Sequence, residues 1–326
     1  MVSIFRAKSS VSVFWLILLS IVAHGYFLVR PPEVVVTGKE SFFFGFLTAF
    51  ATLPGIALIL LYHAIIIVQA LRFNAVLNNL RMFPKQYFIT ALCYILLSSL
   101  YPAWGNITPA LLVNFLVIWL FSLLSTLYST NNAKPIIYNI GFITSVIAIL
   151  YFPAFFMVIV AFIAVGSFRA FRVNEWMVLL MGVCTPPYFI VALLFLTDHL
   201  SIIHTYLPRI QPHGFALKQN IPMIITAVTI LYVVIDGFLM WSANSGKAVI
   251  QVSRSWGILL MMFLLSIPLI FLLKEGNFGY LMLGVLPAAA IASNTFIFSK
   301  SNLYGTILFW LLIVVIIYNN WFWLKT

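Results

Sequence analysis

The chain has 326 residues, of which 64% are hydrophobic and only 7% are charged. A soluble globular protein carries about 25% charged residues, so this chain has too few polar groups to cover a water-facing surface, and a soluble enzyme is excluded. The net charge of +11 indicates basic loops that lie against anionic lipid headgroups, and no nucleic-acid partner is predicted.

Apolar runs separated by short loops predict an all-α bundle of about eleven membrane-spanning helices, in a single integral membrane domain over 1–326 without a soluble domain. The predicted spans are, in chain order, 11–29, 48–71, 86–102, 108–129, 135–150, 152–168, 176–196, 221–241, 256–273, 278–298 and 305–323. The fifth and sixth spans are short and only Tyr151 separates them, so the alternative is a helical hairpin that does not fully cross. Residues 41–50 predict a helix that lies on the membrane surface or re-enters the membrane.

The basic residues on alternate loops predict the orientation of the bundle, because lysine and arginine collect on the cytoplasmic side. A cytoplasmic N-terminus puts eleven of the seventeen Lys and Arg residues inside and the other six outside. The odd number of spans then puts the C-terminus outside. In this orientation the main outer loops are 30–47 and 197–220.

The acidic residues are the first candidates for chemistry, since a carboxylate in a membrane protein is costly unless it faces water or a partner. Four of the six lie on the predicted outer side, and three of these are catalytic candidates because a carboxylate can act as a general base: Glu33, Glu40 and Asp198. An outward-facing active site would produce this asymmetry. The positive-inside rule would produce it too, and both interpretations stay open.

Loop 197–220 is the most polar part of the predicted outer face and holds three of the five histidines. Guanidinium groups bind phosphate oxygens through a planar fork, and imidazole exchanges protons near neutral pH. The candidate substrate-binding residues are Arg30, His199, Arg209 and His213. The alternative is a solvated loop whose segment 199–207 lies on the membrane surface. The histidine spacing matches no compact metal motif, so no metal or other cofactor is predicted.

Two polar residues fall inside predicted spans. Asp236 is interpreted either as a proton or cation relay or as a side chain that reaches water at the inner end of its span, and His63 either as a ligand or as a packed core residue. The pair Pro186–Pro187 predicts a kink in the seventh span. Before that span, Arg172 and Glu175 are three residues apart and are predicted to pair on one helical face.

Three stretches, Leu97–Asn114, Asn132–Ala154 and Phe168–Tyr188, resemble a family of uncharacterised multi-pass inner-membrane proteins from Bacteroidota. The features that carry the resemblance are the Leu-Tyr-Pro and Tyr-Phe-Pro-Ala turns and a Gly-then-Pro-Pro-Tyr run. The resemblance implies a location in the bacterial inner (cytoplasmic) membrane, and it implies no activity.

The chain is also loosely similar to the membrane glycosyltransferases that take sugars from polyprenyl-phosphate carriers. The likeness lies in the number of spans, the inside N-terminus, the acidic first outer loop and the tight outer turns. It implies a polyprenyl-phosphate carrier as a lipid partner and the acids of the first outer loop as catalytic groups. The chain departs from that pattern because the loop is short and Glu33 and Glu40 are seven residues apart.

Two hypotheses of function follow. The first is a lipid-linked glycosyl transferase or related envelope-glycan enzyme, for which a polar cavity should join loop 30–40 to loop 197–220. The second is a non-catalytic transporter, flippase or scaffold subunit of a membrane complex. For a transporter, a substrate path should pass Asp236 and Pro186–Pro187. The expected partners are membrane lipids and, in the second case, other membrane proteins.

Overall fold

The computed structural model of the chain describes residues 2–6, 9–36, 44–130, 132–169, 171–200, 221–247, 249–272, 278–299 and 301–325. Within these ranges the protein is all-α and contains no strand, which confirms the all-α part of the predicted fold. The helices of ten residues or more are α1 (Ser10–Ala23), α2 (Gly55–Asn79), α3 (Ile89–Ser98), α4 (Pro109–Thr126), α5 (Lys134–Leu150), α6 (Phe156–Phe168), α7 (Val173–Leu196), α8 (Ile221–Asn244), α9 (Ile250–Ser266), α10 (Met282–Phe298) and α11 (Asn302–Lys325). Each overlaps one predicted span, in the same order.

Six of these helices, α2, α4, α7, α8, α10 and α11, are long and apolar enough to cross a membrane, and the chain is a membrane protein. The other five have 10–17 residues. At roughly 1.5 Å per residue, the ten residues of α3 extend about 15 Å, half of a hydrocarbon core that is about 30 Å thick. About eleven crossings and the orientation of the termini therefore stay predictions.

The centre of the bundle is formed by α10 and α3. Every residue from Met282 to Phe296 and every residue of α3 is buried, and α10 packs against α3, α8 and α9. Because protein surrounds α3, its ends do not have to reach the membrane surface. Two side chains of α11 donate hydrogen bonds to the backbone carbonyl groups just after α3. The side-chain amide of Asn319 donates to Leu100 O at 2.8 Å, and that of Asn320 donates to Ser99 O at 3.4 Å.

Consecutive helices run in opposite directions between two ends of the bundle, here called the Glu33 end and the Arg169 end. The Glu33 end is formed by 24–36, 99–108 and 278–281, and the Arg169 end by 2–6, 79–88, 127–130, 169 and 245–247. Nine basic residues lie at the Arg169 end or within two helical turns of it: Arg6, Arg72, Arg81, Lys85, Lys134, Arg169, Arg172, Lys247 and Arg254. The other two basic residues in the described ranges, Arg30 and Lys325, lie at the Glu33 end.

Helix α7 lies at the edge of the bundle and is continuous through Pro186–Pro187, so the proline pair does not end the helix. It packs against α5, where Gly141 and Gly182 face each other. A Cβ atom on either glycine would collide with a backbone oxygen of the other helix, so the two backbones are in direct contact. This contact holds α7 in place although only 22% of the residues in its most apolar stretch are buried. The corresponding share is 89% for the span that contains α10.

Candidate functional site

A groove of about 270 Å³ opens at the Glu33 end, between the segment that follows α1 and the turn that precedes α4. The first wall consists of 26–35 and the second of 102–106. The polar and charged side chains that line the groove are Tyr26, Arg30, Glu33 and Asn106. The groove therefore combines one cationic, one anionic and two neutral polar groups at one end of a predominantly apolar bundle.

Backbone hydrogen bonds fix the two walls of the groove to each other. Ile107 N donates to Glu33 O at 2.9 Å, and Val35 N donates to Ile107 O at 3.1 Å. Glu33 N donates to the side-chain Oδ1 of Asn106 at 3.1 Å. Pro31 and Pro32 favour the extended backbone that this pairing needs. The main chain of Glu33 is thus held on both sides, while its side chain is left exposed.

The turn Pro102–Gly105 brings the second wall close to the first. A Cβ atom at position 105 would collide with the hydroxyl of Tyr26, so any larger residue there would displace that side chain from its place in the groove. That hydroxyl lies 3.5 Å from Pro102 O. The indole Nε1 of Trp104 donates to Phe278 O at 3.1 Å and ties the turn to the segment before α10.

The two charged residues of the groove, Arg30 and Glu33, are exposed and belong to no ion pair in the described chain. The ion pairs found there are those of Glu175 with Arg169 and Arg172. A free guanidinium can bind two phosphate oxygens at once, and a free carboxylate can accept a proton. The groove therefore offers an anion-binding group and a candidate base on the same wall.

A buried network of polar side chains lies beside the groove and was not predicted from the sequence. His24 Nδ1 faces Ser20 O at 2.9 Å, so this nitrogen carries a proton and donates it to the carbonyl oxygen. Nε2 lies 3.1 Å from the hydroxyl of Tyr62 and 3.3 Å from that of Ser99. The hydroxyl of Tyr62 donates its hydrogen to Trp104 O at 3.2 Å. The network thus joins α1 and α2 to the turn 102–106, which forms the second wall of the groove and is called the groove turn below.

His63, a predicted intramembrane site residue, belongs to the same region. Its Nδ1 lies 2.9 Å from the hydroxyl of Ser20, and its ring is 5.4 Å from the ring of His24. Phe27 stacks on His24 with ring centres 5.0 Å apart, and Phe27 also lines the groove. The two histidines therefore lie behind an aromatic wall of the groove.

The remaining predicted site residues lie elsewhere. Asp198 and His199 follow the last residue of α7 and are exposed, and Asp198 takes the left-handed backbone conformation, with a φ angle of 56°, where the helix stops. Helix α7 packs against α5, whereas the groove lies between the segment after α1 and the turn before α4. Glu40, Arg209 and His213 lie outside the described residues, so a cavity that joins the two outer loops stays a prediction.

Asp236 lies in α8, eight residues before the end of that helix and away from the groove. Its carboxyl group interacts with the hydroxyl of Tyr304, which is 3.1 Å from the hydroxyl of Tyr232. Its Oδ2 atom is buried and has no hydrogen-bond partner within the described part of the chain. Asp236 is thus a second, separate polar position, between α8 and α11. The same part of the chain holds no group of three or more His, Cys, Asp or Glu residues that could bind a metal.

Comparison with known proteins gives one match. Residues 34–325 match DUF6427, a family of unknown function, and the chain belongs to that family. No curated protein and no solved structure matches the chain. The match covers the turn 102–106 and α2 to α11, and it begins just after Glu33. The source in Bacteroidota and the likeness to polyprenyl-phosphate glycosyltransferases stay predictions.

Proposed function

We propose that this member of DUF6427 lies in the inner membrane of a bacterium and transfers a sugar from a polyprenyl-phosphate carrier during synthesis of a cell-envelope glycan. The observation that carries the proposal is the groove at the Glu33 end, where Arg30 and Glu33 lie on one wall and form no ion pair with any residue that the structure describes. The nine basic residues near the Arg169 end support an orientation in which the groove faces outward.

In the proposed reaction, Arg30 binds the phosphate of the carrier and Glu33 accepts the proton of an acceptor hydroxyl. The acceptor oxygen forms a bond to the anomeric carbon of the sugar, and the bond from that carbon to the phosphate oxygen breaks. The carrier phosphate leaves with the electron pair, and the guanidinium of Arg30 stabilises its growing charge. Glu40 and Asp198 are alternative bases, and Arg209, His199 and His213 are further candidates for binding or protonating the leaving phosphate.

The test is complementation of cells that lack the protein, with the lipid-linked sugars measured by mass spectrometry. A carrier-linked sugar should accumulate in these cells. Arg30→Ala should restore nothing, and Arg30→Lys should restore only part of the activity, because an ammonium group replaces a two-pronged contact by a single charge. Arg172→Ala, at the other end of the bundle, is the matched control. Full activity of both Arg30 variants would refute the anion site.

Transport or a scaffold role is the second candidate, and Asp236 is the observation that favours it. A carboxyl group within a membrane-spanning helix is costly, and its buried Oδ2 has no partner within the described residues. Under this alternative, Asp236→Asn should abolish complementation while Arg30→Ala should not. Under the enzymatic proposal the two variants should behave in the opposite way.

A further inference from the structure

A second cavity at the Glu33 end lies between α8, α9 and α10 and has a volume of about 100 Å³. Its wall includes Ala227 and Ile230 of α8, Phe263 of α9, Val285 of α10 and Trp104 of the groove turn. The lining is almost entirely apolar. The cavity therefore differs from the groove in chemistry although both lie at the same end of the bundle.

The polar groups in the wall of this cavity already have partners. Thr226 Oγ1 donates to Pro222 O at 2.8 Å, Ser266 Oγ donates to Phe263 O at 2.6 Å, and Trp104 Nε1 donates to Phe278 O at 3.1 Å. A polar occupant would lose its bonds to water and find no replacement there. Only a hydrocarbon group fits such a site without this penalty.

The position of the cavity indicates which hydrocarbon it meets. Helices α8 and α10 are both long and apolar enough to cross a membrane, so the cavity lies between two candidate membrane spans. Trp104 lines the cavity, while Pro102 and Asn106 of the same turn line the polar groove. Consecutive Cα atoms are 3.8 Å apart, so the two ends of this turn are separated by at most about 15 Å. One amphiphilic molecule can therefore reach both sites.

We infer that this apolar cavity binds the first part of the hydrocarbon chain of the same lipid whose phosphate binds at Arg30. The volume sets how much of the chain enters: an apolar cavity of about 150 Å³ holds a benzene molecule, so about 100 Å³ has room for about one five-carbon isoprene unit. The turn 102–106 then separates the phosphate from the chain. The phosphate half of this inference rests on the proposed function, and the chain half rests on the cavity itself.

The test is photo-crosslinking of the full-length protein in lipid nanodiscs, with labelled residues identified by mass spectrometry. Two probes carry a diazirine on the first isoprene unit: farnesyl phosphate, and farnesol without the phosphate. Both should label residues of α8 or α10 in the cavity wall. Ala227→Phe fills the cavity and should reduce labelling about tenfold, whereas Val228→Phe, whose side chain is exposed, should leave it unchanged. Ala227→Leu, a smaller change, should give an intermediate loss if Ala227→Phe fails to fold.

The outcomes separate the chain site from the proposed function. Labelling by farnesyl phosphate that falls with Arg30→Ala, together with labelling by farnesol that does not, supports a single lipid across both sites. If Arg30→Ala changes neither, the phosphate does not bind in the groove and the single-lipid inference fails, while the cavity remains a chain site. Labelling that is insensitive to Ala227→Phe overturns the chain site. Equal labelling by a diazirine-bearing phosphatidic acid overturns it too, because the cavity would then hold bulk lipid chains.

Discussion

The two ends of the bundle treat their charged residues differently. At the Arg169 end, Glu175 is almost buried and accepts hydrogen bonds from Arg169 at 2.9 and 3.3 Å, and Arg169 also donates to Thr130 O. At the Glu33 end, the backbone of Glu33 is bonded while its side chain and that of Arg30 have no ionic partner in the described residues. The Glu175 carboxylate is neutralised within the protein, whereas the Glu33 carboxylate is left available to a ligand. The partners of a charged side chain, more than its presence, thus separate structural from functional candidates.

The first prediction concerns Arg169, the main partner of the Glu175 carboxylate. Arg169→Ala leaves the nearly buried carboxylate of Glu175 without its main partner, so the free energy of unfolding should fall by about 2 to 3 kcal/mol. The hydrogen bond to Glu175 raises the pKa of the Arg169 guanidinium above its ordinary value. The pair should therefore persist at neutral and moderately alkaline pH. Unfolding in detergent with increasing dodecyl sulfate gives the measurement.

Arg172→Ala is the control for that variant, since the Arg172 guanidinium is 70% exposed and 4.0 Å from the carboxylate. Its effect should stay below about 0.5 kcal/mol. Equal losses for the two variants would mean that the bonded pair has no special role at this end.

The second prediction concerns the buried network beside the groove. Tyr62→Phe removes the hydroxyl that donates to Trp104 O and lies 3.1 Å from His24 Nε2, so Trp104 O loses a donor in a buried place. The free energy of unfolding should fall by about 1 to 2 kcal/mol. Tyr232→Phe, which removes an exposed hydroxyl, should cost less than about 0.5 kcal/mol. If Tyr62→Phe is neutral in the same detergent assay, the network does not stabilise the Glu33 end.

The parts of the structure that the sequence predicted are those set by local pattern. Apolar runs gave the order of the helices, because each run is long enough to form a helix and polar loops interrupt it. The pairing of Glu175 was predicted with Arg172 from the helical spacing of three residues. Helix α7 begins only at Val173, so Arg172 precedes it, and the closer partner is Arg169 from the other side of the turn.

Contacts distant in the chain were not predictable in the same way. His24 meets Tyr62, which is 38 residues away, and Ser99, which is 75 residues away, and no local pattern indicates either contact. Glu33 and Arg30 were identified from charge and position. The sequence did not predict that 102–106 forms the second wall of their groove. That wall is held by hydrogen bonds to a segment more than seventy residues earlier in the chain.

The third prediction tests how the groove is held. Asn106→Ala removes the acceptor of the Glu33 N–H and should lower the free energy of unfolding by about 1 kcal/mol. Asn106→Asp keeps an oxygen in the same place and should retain more of the stability and of the complementation activity. Loss of activity in Asn106→Ala with full activity in Asn106→Asp would show that the bond positions Glu33. Equal loss in both would show that the amide group itself is needed.

The smallest effect on the free energy of unfolding is expected at Glu33. Substitution there should affect activity alone, whereas substitution of Arg169 at the other end should affect stability. The side chain of Glu33 is exposed and makes no ion pair in the described chain, so Glu33→Gln should change the free energy of unfolding by less than about 0.5 kcal/mol. The amide has nearly the same shape as the carboxylate but cannot accept the proton of an acceptor hydroxyl at neutral pH. Complementation should therefore be lost without loss of stability, whereas Arg172→Ala should keep both. Activity in Glu33→Gln, measured together with normal expression, would exclude Glu33 as the base and leave Glu40 and Asp198 as the acids to test.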